Sequence, residues 1–475
     1  MEEAKKHFSR RDFLRLAGVT TSFLALQACG GQQAAEETGG GEAPQPAAAV
    51  KEEPAEKAPA AEPVTLKLVA WDYEPELVRE NLDIFEEYNS DIKIELESTS
   101  GDYLEKLLAM FSAGTELDTM YVRDQYYASW YDAEFIKPID GQPGLDELDS
   151  ESFELNVESM SYKGHRLGTC YYTDFMVWFW NEELYNNAGV EGLSWDLTFD
   201  ELRAACEQVK KEGILDYPLE MGWQKASNAF WVWWAQLYAS GGTNITEDLE
   251  VKVDTDPVSK ELLNWWVAAA NDWQITNPQS NMETADTGEL TGFWAEQSAT
   301  VLNSKYDLER ANSLDRSNSA REGKINTKFS QIPAFNKDDP HTSVHWTRFY
   351  GLSANTKDAD ATWRLMYYLG GKDHDGEYYT AKRWFLLRGL GFPFKPLWED
   401  QEIIDKLATF ADPDLVIKAA PNARPREGIT APWYGEWDLH HQSLLQDALL
   451  QKLSVDEPLG ESGKKARELK EKWAA

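Results

Sequence analysis

Three short stretches of the chain set aromatic rings beside carboxylates. They are Trp71-Asp72-Tyr73-Glu74, Asp102-Tyr103, and Arg123-Asp124 with Tyr126 and Tyr127 just beyond. Flat ring faces next to planar polar groups are what a pyranose needs: its C–H faces stack on the rings and its hydroxyls hydrogen-bond to the polar groups. The chain holds 20 tryptophans in 475 residues, a surplus that points the same way. For any one ring the alternative is core packing, and Trp178, Trp180, Trp231 and Trp234 read as core. Arg123, Asp124 and Arg348 read as hinge ion pairs as well as rim residues. None of the three stretches is a glycine loop that could cradle phosphate. His341 and His345 are four apart but enter a strand, and the adjacent His440 and His441 face different ways on a helix. Neither pair sets a metal site, so no metal, cofactor or catalytic group is expected. Cys170 and Cys206 read as small buried apolar residues, with a single bridge as the alternative.

The elements that must position these residues lie in 64–140. VTLKLVAW (64–71) and IKIELEST (92–99) alternate as strands, and LDTMYV (117–122) supplies a third. Between them, Val78, Leu82, Phe85 and Tyr88 form one helical stripe, and Leu104, Leu107, Leu108 and Phe111 another, with Gly114 at the C-cap. Strand and helix in alternation with short crossovers predict an α/β fold, a parallel sheet covered by helices on both faces. Ligands of such sheets sit at the carboxyl ends of the strands, which places all three polar stretches on one rim.

The chain begins with an address. SRRDFLRLAG (9–18) sets Arg10 and Arg11 before a short apolar run that ends in LALQAC. The pattern resembles a twin-arginine export signal joined to a lipoprotein signal, with residues 1–28 removed and Cys29 carrying the lipid. Residues 29–63, rich in Gly, Ala, Glu, Pro and Gln, read as a disordered tether of about 30 Å. The expected location is outside the cell membrane or in a periplasm, lipid-anchored through Cys29. Net charge is −36, and the leader, with five basic and three acidic residues, leaves the rest near −38. That excludes nucleic acid and anionic lipid surfaces as partners and weakly disfavours an anionic ligand.

Further along, Lys163-Gly164 marks a hairpin turn before a long aromatic strand. Thr198 and Glu201 form a capping box on a helix that Gly213 stops, and Asp256-Pro257 opens another. Strands are predicted at 327–335 and 343–354, a helix at 358–371, and helices through the C-terminal region. The order of segments resembles the extracellular solute-binding proteins of ABC transporters, family 1, the maltose-binding-protein-like sugar binders. The resemblance is carried by AGTELD (113–118), YKGHRLGTCYYTDFMVWFWNEELYNNAGV (162–190), WDLTFDEL (195–202), the entry to the strand ending VLN (293–303) and GLGFP (389–393). It covers residues 64–475. Cys170 stands where the family often has proline, and Glu296-Gln297-Ser298 replaces Gly-Lys-Ala.

The resemblance implies a two-lobed periplasmic-binding-protein-like fold, each lobe a mainly parallel sheet flanked by helices, with three interlobe crossings and the ligand between the lobes. Lobe one is expected at 64–138 with 350–398, and lobe two at 139–349 with 399–475. Asp174 falls where the family has an acidic sugar ligand and Tyr306 where it has a stacking tryptophan. Trp433, Tyr434 and Trp437 lie where another stacking ring is usual. The implied function is capture of a sugar or oligosaccharide for an ABC importer's permease by a monomer, without enzymatic activity. Two rivals stand beside it: a binder of a cation such as a polyamine, whose charge would suit acidic and aromatic groups, and an exported glycoside hydrolase.

Overall fold

The computed structural model describes residues 63–100, 103–222, 229–277, 291–312 and 326–474. The leader, the tether with Cys29, and Asp102 lie outside the described residues. Twelve strands are formed among those described: β1 (Val64–Trp71), β2 (Ile92–Thr99), β3 (Thr119–Val122), β4 (Ile136–Lys137), β5 (Ser161–Tyr162), β6 (His165–Arg166), β7 (Gly168–Asn181), β8 (Leu219–Glu220), β9 (Thr300–Ser304), β10 (Thr327–Ser330), β11 (Ser343–Ser353) and β12 (Ala423–Arg424).

The opening unit forms as its periodicity dictates. β1 pairs in parallel with β2 from Val64–Ile92 to Trp71–Thr99, and with β3 at Leu68–Thr119. The helix Pro75–Tyr88 buries Val78, Leu82 and Phe85, while Tyr88, the last of its stripe, is exposed. The helix Tyr103–Ala113 stops at Gly114, whose φ of +64° is a left-handed conformation that glycine adopts without steric cost. Lys163 and Gly164 both take positive φ and close the β5–β6 hairpin in the manner of a type I′ turn. The Thr198–Glu201 capping box has both of its bonds.

Ten of the strands form one continuous sheet with the path β2-β1-β3-β11-β7-β9-β8. The α/β class is as expected, but the pairing is mixed: β11 runs antiparallel to both β3 and β7, and β7 antiparallel to β9 and β10. The reason is the length of β7 and β11. Each belongs to one half of the molecule at one end and to the other half at the other end. Their shared register shifts at Arg348/Phe349, a bulge opposite Tyr172 and Cys170.

Two large cores flank this crossing. One gathers Leu68, Val69, Leu82, Phe111, Tyr121 and Phe349, the other Trp233, Trp234, Leu262, Trp266, Trp346 and Trp437. The expected border at 138/139 is not where the chain changes core. Ile139, Leu145, Leu148, Met160 and Leu167 all belong to the first core. Trp363 donates to Pro143 O at 3.2 Å, so 139–167 packs on the 350–394 segment. The 398/399 border also runs through packed structure: Ile403, Leu407 and Phe410 sit in the first core, while Asn312 donates to Phe410 O. The pairing of β7 with β11 shifts register at Tyr172 and Arg348/Phe349. Gly391 presses the 389–394 loop onto this point, because a Cβ there would lie 2.2 Å from Thr173 O.

Candidate functional site: the crossing between the halves

The first rim stretch leaves β1 as expected. Trp71 is part-buried against Tyr121 (4.5 Å between centroids) and Tyr171 (5.7 Å), and meets Tyr103 edge-on. Asp72 is exposed and accepts from Ser98 Oγ at 2.9 Å. Tyr73 is part-exposed and stacks near Trp384, which comes from the helix Tyr379–Arg388. Glu74 takes a left-handed φ of +50° before Pro75 and pairs through both oxygens with Arg388. That pair uses the carboxylate expected to accept from a ligand. Tyr103 is buried, donating to Val69 O and Tyr121 O, so it ties the rim together from beneath and does not face a ligand.

The stretch after β3 holds the centre of the site. Asp124 Oδ1 accepts from Arg348 Nη1 and, at 3.0 Å, from Arg426 Nη2, which also reaches Gln125 Oε1 at 3.2 Å. Burial opposes charge on Asp124, but the two guanidiniums outweigh it and hold the carboxyl below its usual range. One carboxylate thus joins the first half, strand β11 and the 424–433 connection, the hinge ion pair that Asp124 and Arg348 suggested. Asp438 lies 4.0 Å from Arg426, its carboxyl pushed up to about 6 by burial against the pull of Arg426. Trp231 closes this layer: Arg426 lies 4.4 Å and Arg348 5.6 Å from its ring, and Trp346 packs at 4.9 Å. Trp231 is 7% exposed, consistent with core, yet its faces serve the arginines of the crossing.

On the second half, Asp174 is buried. Its Oδ1 accepts from Phe175 N, and its Oδ2 accepts from Tyr306 N at 3.1 Å and lies 3.3 Å from Lys305 Nζ. Burial raises its carboxyl to about 6, with Lys305 opposing. Asp174 therefore fixes the turn after β9 that presents Tyr306. Tyr306 is part-exposed and meets Tyr172 edge-on at 6.3 Å; its phenol is raised chiefly by burial, with Asp307, Tyr172 and Tyr73 adding to it. Tyr73 and Tyr306, from opposite halves, are thereby neighbours.

The remaining expected rings are interior. Trp433 is 3% exposed, and Tyr434 and Trp437 are fully buried. Trp437 donates to Ser462 and lies flat on His441 at 5.2 Å, so the stacking expected of it is taken up inside the second core. The histidines are structural too: His341 Nδ1 meets Ile332 O, His345 sits among Asn156 and Thr173, and His441 pairs with Ser462. Among the described residues, ligating groups converge at the exposed Asp373-His374-Asp375 turn, where Asp373 already accepts from Asp375 N and Glu377 N. Cys170 and Cys206 are free and buried.

The residues that sequence reasoning missed are Arg426, Tyr172, Trp384 and Arg388. Arg426 lies in the irregular ARPREGIT run, which has no periodicity to place it. Two hollows lie away from the crossing, one between Trp180, Trp195 and Phe410, the other between Tyr88, Trp363 and His374. Their charged linings are committed to partners, Lys328 to Glu182 and Arg364 to Asp91.

No helix among the described residues is long and apolar enough to cross a membrane. A search of curated sequences finds no match. Solved structures do resemble the chain. Maltose-bound MalE3 of T. maritima superimposes with a TM-score of 0.74 at 16% identity, over 86% of this chain and all of that one. A solute-binding protein of Thermotoga lettingae bound with alpha-D-tagatose gives 0.72 at 17% identity, over 86% and 99%. The Listeria monocytogenes protein Lmo0181, in complex with cycloalternan, gives 0.71 at 16%, again over 86% and 99%. At such identities the likeness establishes the two-lobed fold. Residues 65–375 match the sequence profile of the bacterial extracellular solute-binding proteins, and the chain belongs to that family.

Proposed function

We propose that the protein is the solute-binding component of an ABC importer and captures a sugar or oligosaccharide between its halves for delivery to a membrane permease. The observation that carries this reading is the band of part-exposed aromatic and polar side chains at the crossing: Trp71, Asp72, Tyr73, Tyr126, Tyr172 and Tyr306. Rings there can stack on pyranose faces while Asp72 and the phenols meet hydroxyls. The similarity to proteins solved with maltose, tagatose and cycloalternan supports the same ligand class. The lobes in this reading meet at Tyr172 and Arg348/Phe349, and the protein acts as a monomer held to the membrane by a lipid on Cys29.

Ligand that touches both halves favours the closed form by its differential affinity for it. Calorimetry against a panel of oligosaccharides and polyamines, with product analysis for hydrolysis, tests the class of ligand. Small-angle scattering with the best binder should show a smaller radius of gyration. Spermidine binding without sugar binding would replace the reading with the cation alternative, and turnover of a glycoside would replace it with a hydrolase.

A further inference from the structure

The arginines of the crossing are not equivalent. Arg348 and Arg426 share Asp124, and Arg388 has Glu74. Elsewhere Arg79, Arg166, Arg203, Arg364, Arg383 and Arg467 each meet a carboxylate. The Arg123 side chain meets no carboxylate and makes no hydrogen bond among the described residues; its carbonyl accepts from Tyr126 N at 3.1 Å. It is part-exposed, and its guanidinium stands 5.5 Å from the Trp71 ring. Burial lowers its pKa, the like charge of Arg348 lowers it further, and Tyr126, Tyr172 and Tyr103 stand near enough to oppose that.

Arg348 and Arg426 hold Asp124, with the buried Asp438 4.0 Å from Arg426, and Arg123 adds a further guanidinium near Arg348 in a chain of net charge −36. A guanidinium keeps its proton under all ordinary conditions, so the repulsion between Arg123 and Arg348 is not relieved by titration. An anion placed against Arg123 relieves it. The site is also far from water's full screening, which raises the value of such a pairing.

We infer that Arg123 anchors a carboxylate on the captured sugar, and that the ligand contains a uronic acid. The inference rests on the carbohydrate reading and narrows it. The guanidinium fork matches a carboxylate in two parallel hydrogen bonds. Trp71, directly beside it, offers a face for the ring that bears the carboxylate, so one side chain reads the charge and its neighbour reads the sugar. A phosphate ester would want further donors around its third oxygen, from a glycine loop or a long helix start, and the stretch after β3 carries no glycine and only the six-residue helix Tyr127–Asp132. The same unpaired cation argues against a polyamine. The overall negative charge tolerates an acidic ligand because local fields at short range outweigh distant screened charges.

The test is calorimetry on the full chain with digalacturonate and a mannuronate trimer, set against galactobiose and maltotriose. The expected result is a preference of roughly tenfold or more for a uronate over its neutral counterpart, shrinking as salt is raised. Arg123→Gln should reduce that preference by about tenfold with an unchanged melting temperature, and Arg123→Lys should restore part of it. Tight binding of a neutral sugar with no gain for the uronate overturns the inference and leaves the carbohydrate reading standing. So does a preference for uronate that survives Arg123→Gln, or binding of a sulfated disaccharide in place of both uronates. Binding of no sugar in either set, with spermidine bound, overturns both.

Discussion

The two halves use their aromatic residues differently. In the first half, Trp71 and Tyr73 sit part-exposed at the end of β1, backed by Tyr121, Tyr171 and Trp384. In the second, Trp233, Trp234, Trp266 and Trp437 are fully buried, and Trp266 and Trp437 spend their indole N–H groups on Gln236 and Ser462. The same residue type reads as ligand surface on one side and as packing on the other. What separates the cases is the company each ring keeps. At the rim the rings have other rings behind them and the Arg123 guanidinium beside Trp71, whereas in the second core their neighbours are other rings, His441 and leucines.

The largest effect should come from the packed side. Trp437→Ala should cost about 3–5 kcal/mol of stability in a denaturant titration, because it removes a fully buried ring from the second core. A variant with wild-type stability and lost sugar binding would move Trp437 to the rim group and erase the contrast. Asp124→Asn comes next, at about 3 kcal/mol, since it leaves Arg348 and Arg426 buried without the carboxylate between them. Its folded pKa lies below the unfolded value, so its contribution is present above the ordinary Asp range and is lost as pH falls through the folded value. Wild type and the Asn variant should therefore converge in strongly acidic solution; a constant gap at all pH would contradict the ion-pair account.

Trp71→Ala should weaken binding of the best ligand by roughly 1–3 kcal/mol while the melting temperature moves little. A collapse in melting temperature would assign that ring to the core as well. A last effect, which reads only the packed side, concerns Glu220 on β8. Burial raises its carboxyl to about 7, against the N–H groups of Phe293 and Gly292 and the hydroxyl of Ser298. The folded form then holds a proton that the unfolded form releases, so stability should fall between about pH 5 and pH 8. Glu220→Gln should remove that slope, read from thermal melts across the range. An unchanged slope would show that Glu220 is ionised in the folded protein.

Much of this was legible in the sequence wherever a short-range rule governs. β1, β2, Gly114, the Lys163-Gly164 turn and the Thr198 capping box each follow from local periodicity or backbone preference. The hinge pair of Asp124 and Arg348 could be suspected because Asp124 follows the end of β3 and Arg348 lies on a long strand near a crossing. Its third member could not. Arg426 reaches Asp124 from 302 positions away, and no local pattern encodes such a contact. Asp174 shows a complementary limit: the family resemblance implied a ligand acceptor, whereas Tyr306 N in the turn after β9 and Lys305 take up one of its oxygens. That 139–167 packs on the 350–394 segment was illegible for a related reason, since which core a loop joins depends on shape built from distant segments.

Because β7 and β11 pass unbroken from one half to the other, any joint between the halves must run through the sheet itself. A pair of bonded strands is stiff along its length and soft in twist, and the bulge at Arg348/Phe349 concentrates that softness at one level. A closing motion of the halves would then be guided about a single axis, as a torsion bar guides a lever, with sliding resisted by the ladder bonds on either side, so the rims would return to the same alignment each time.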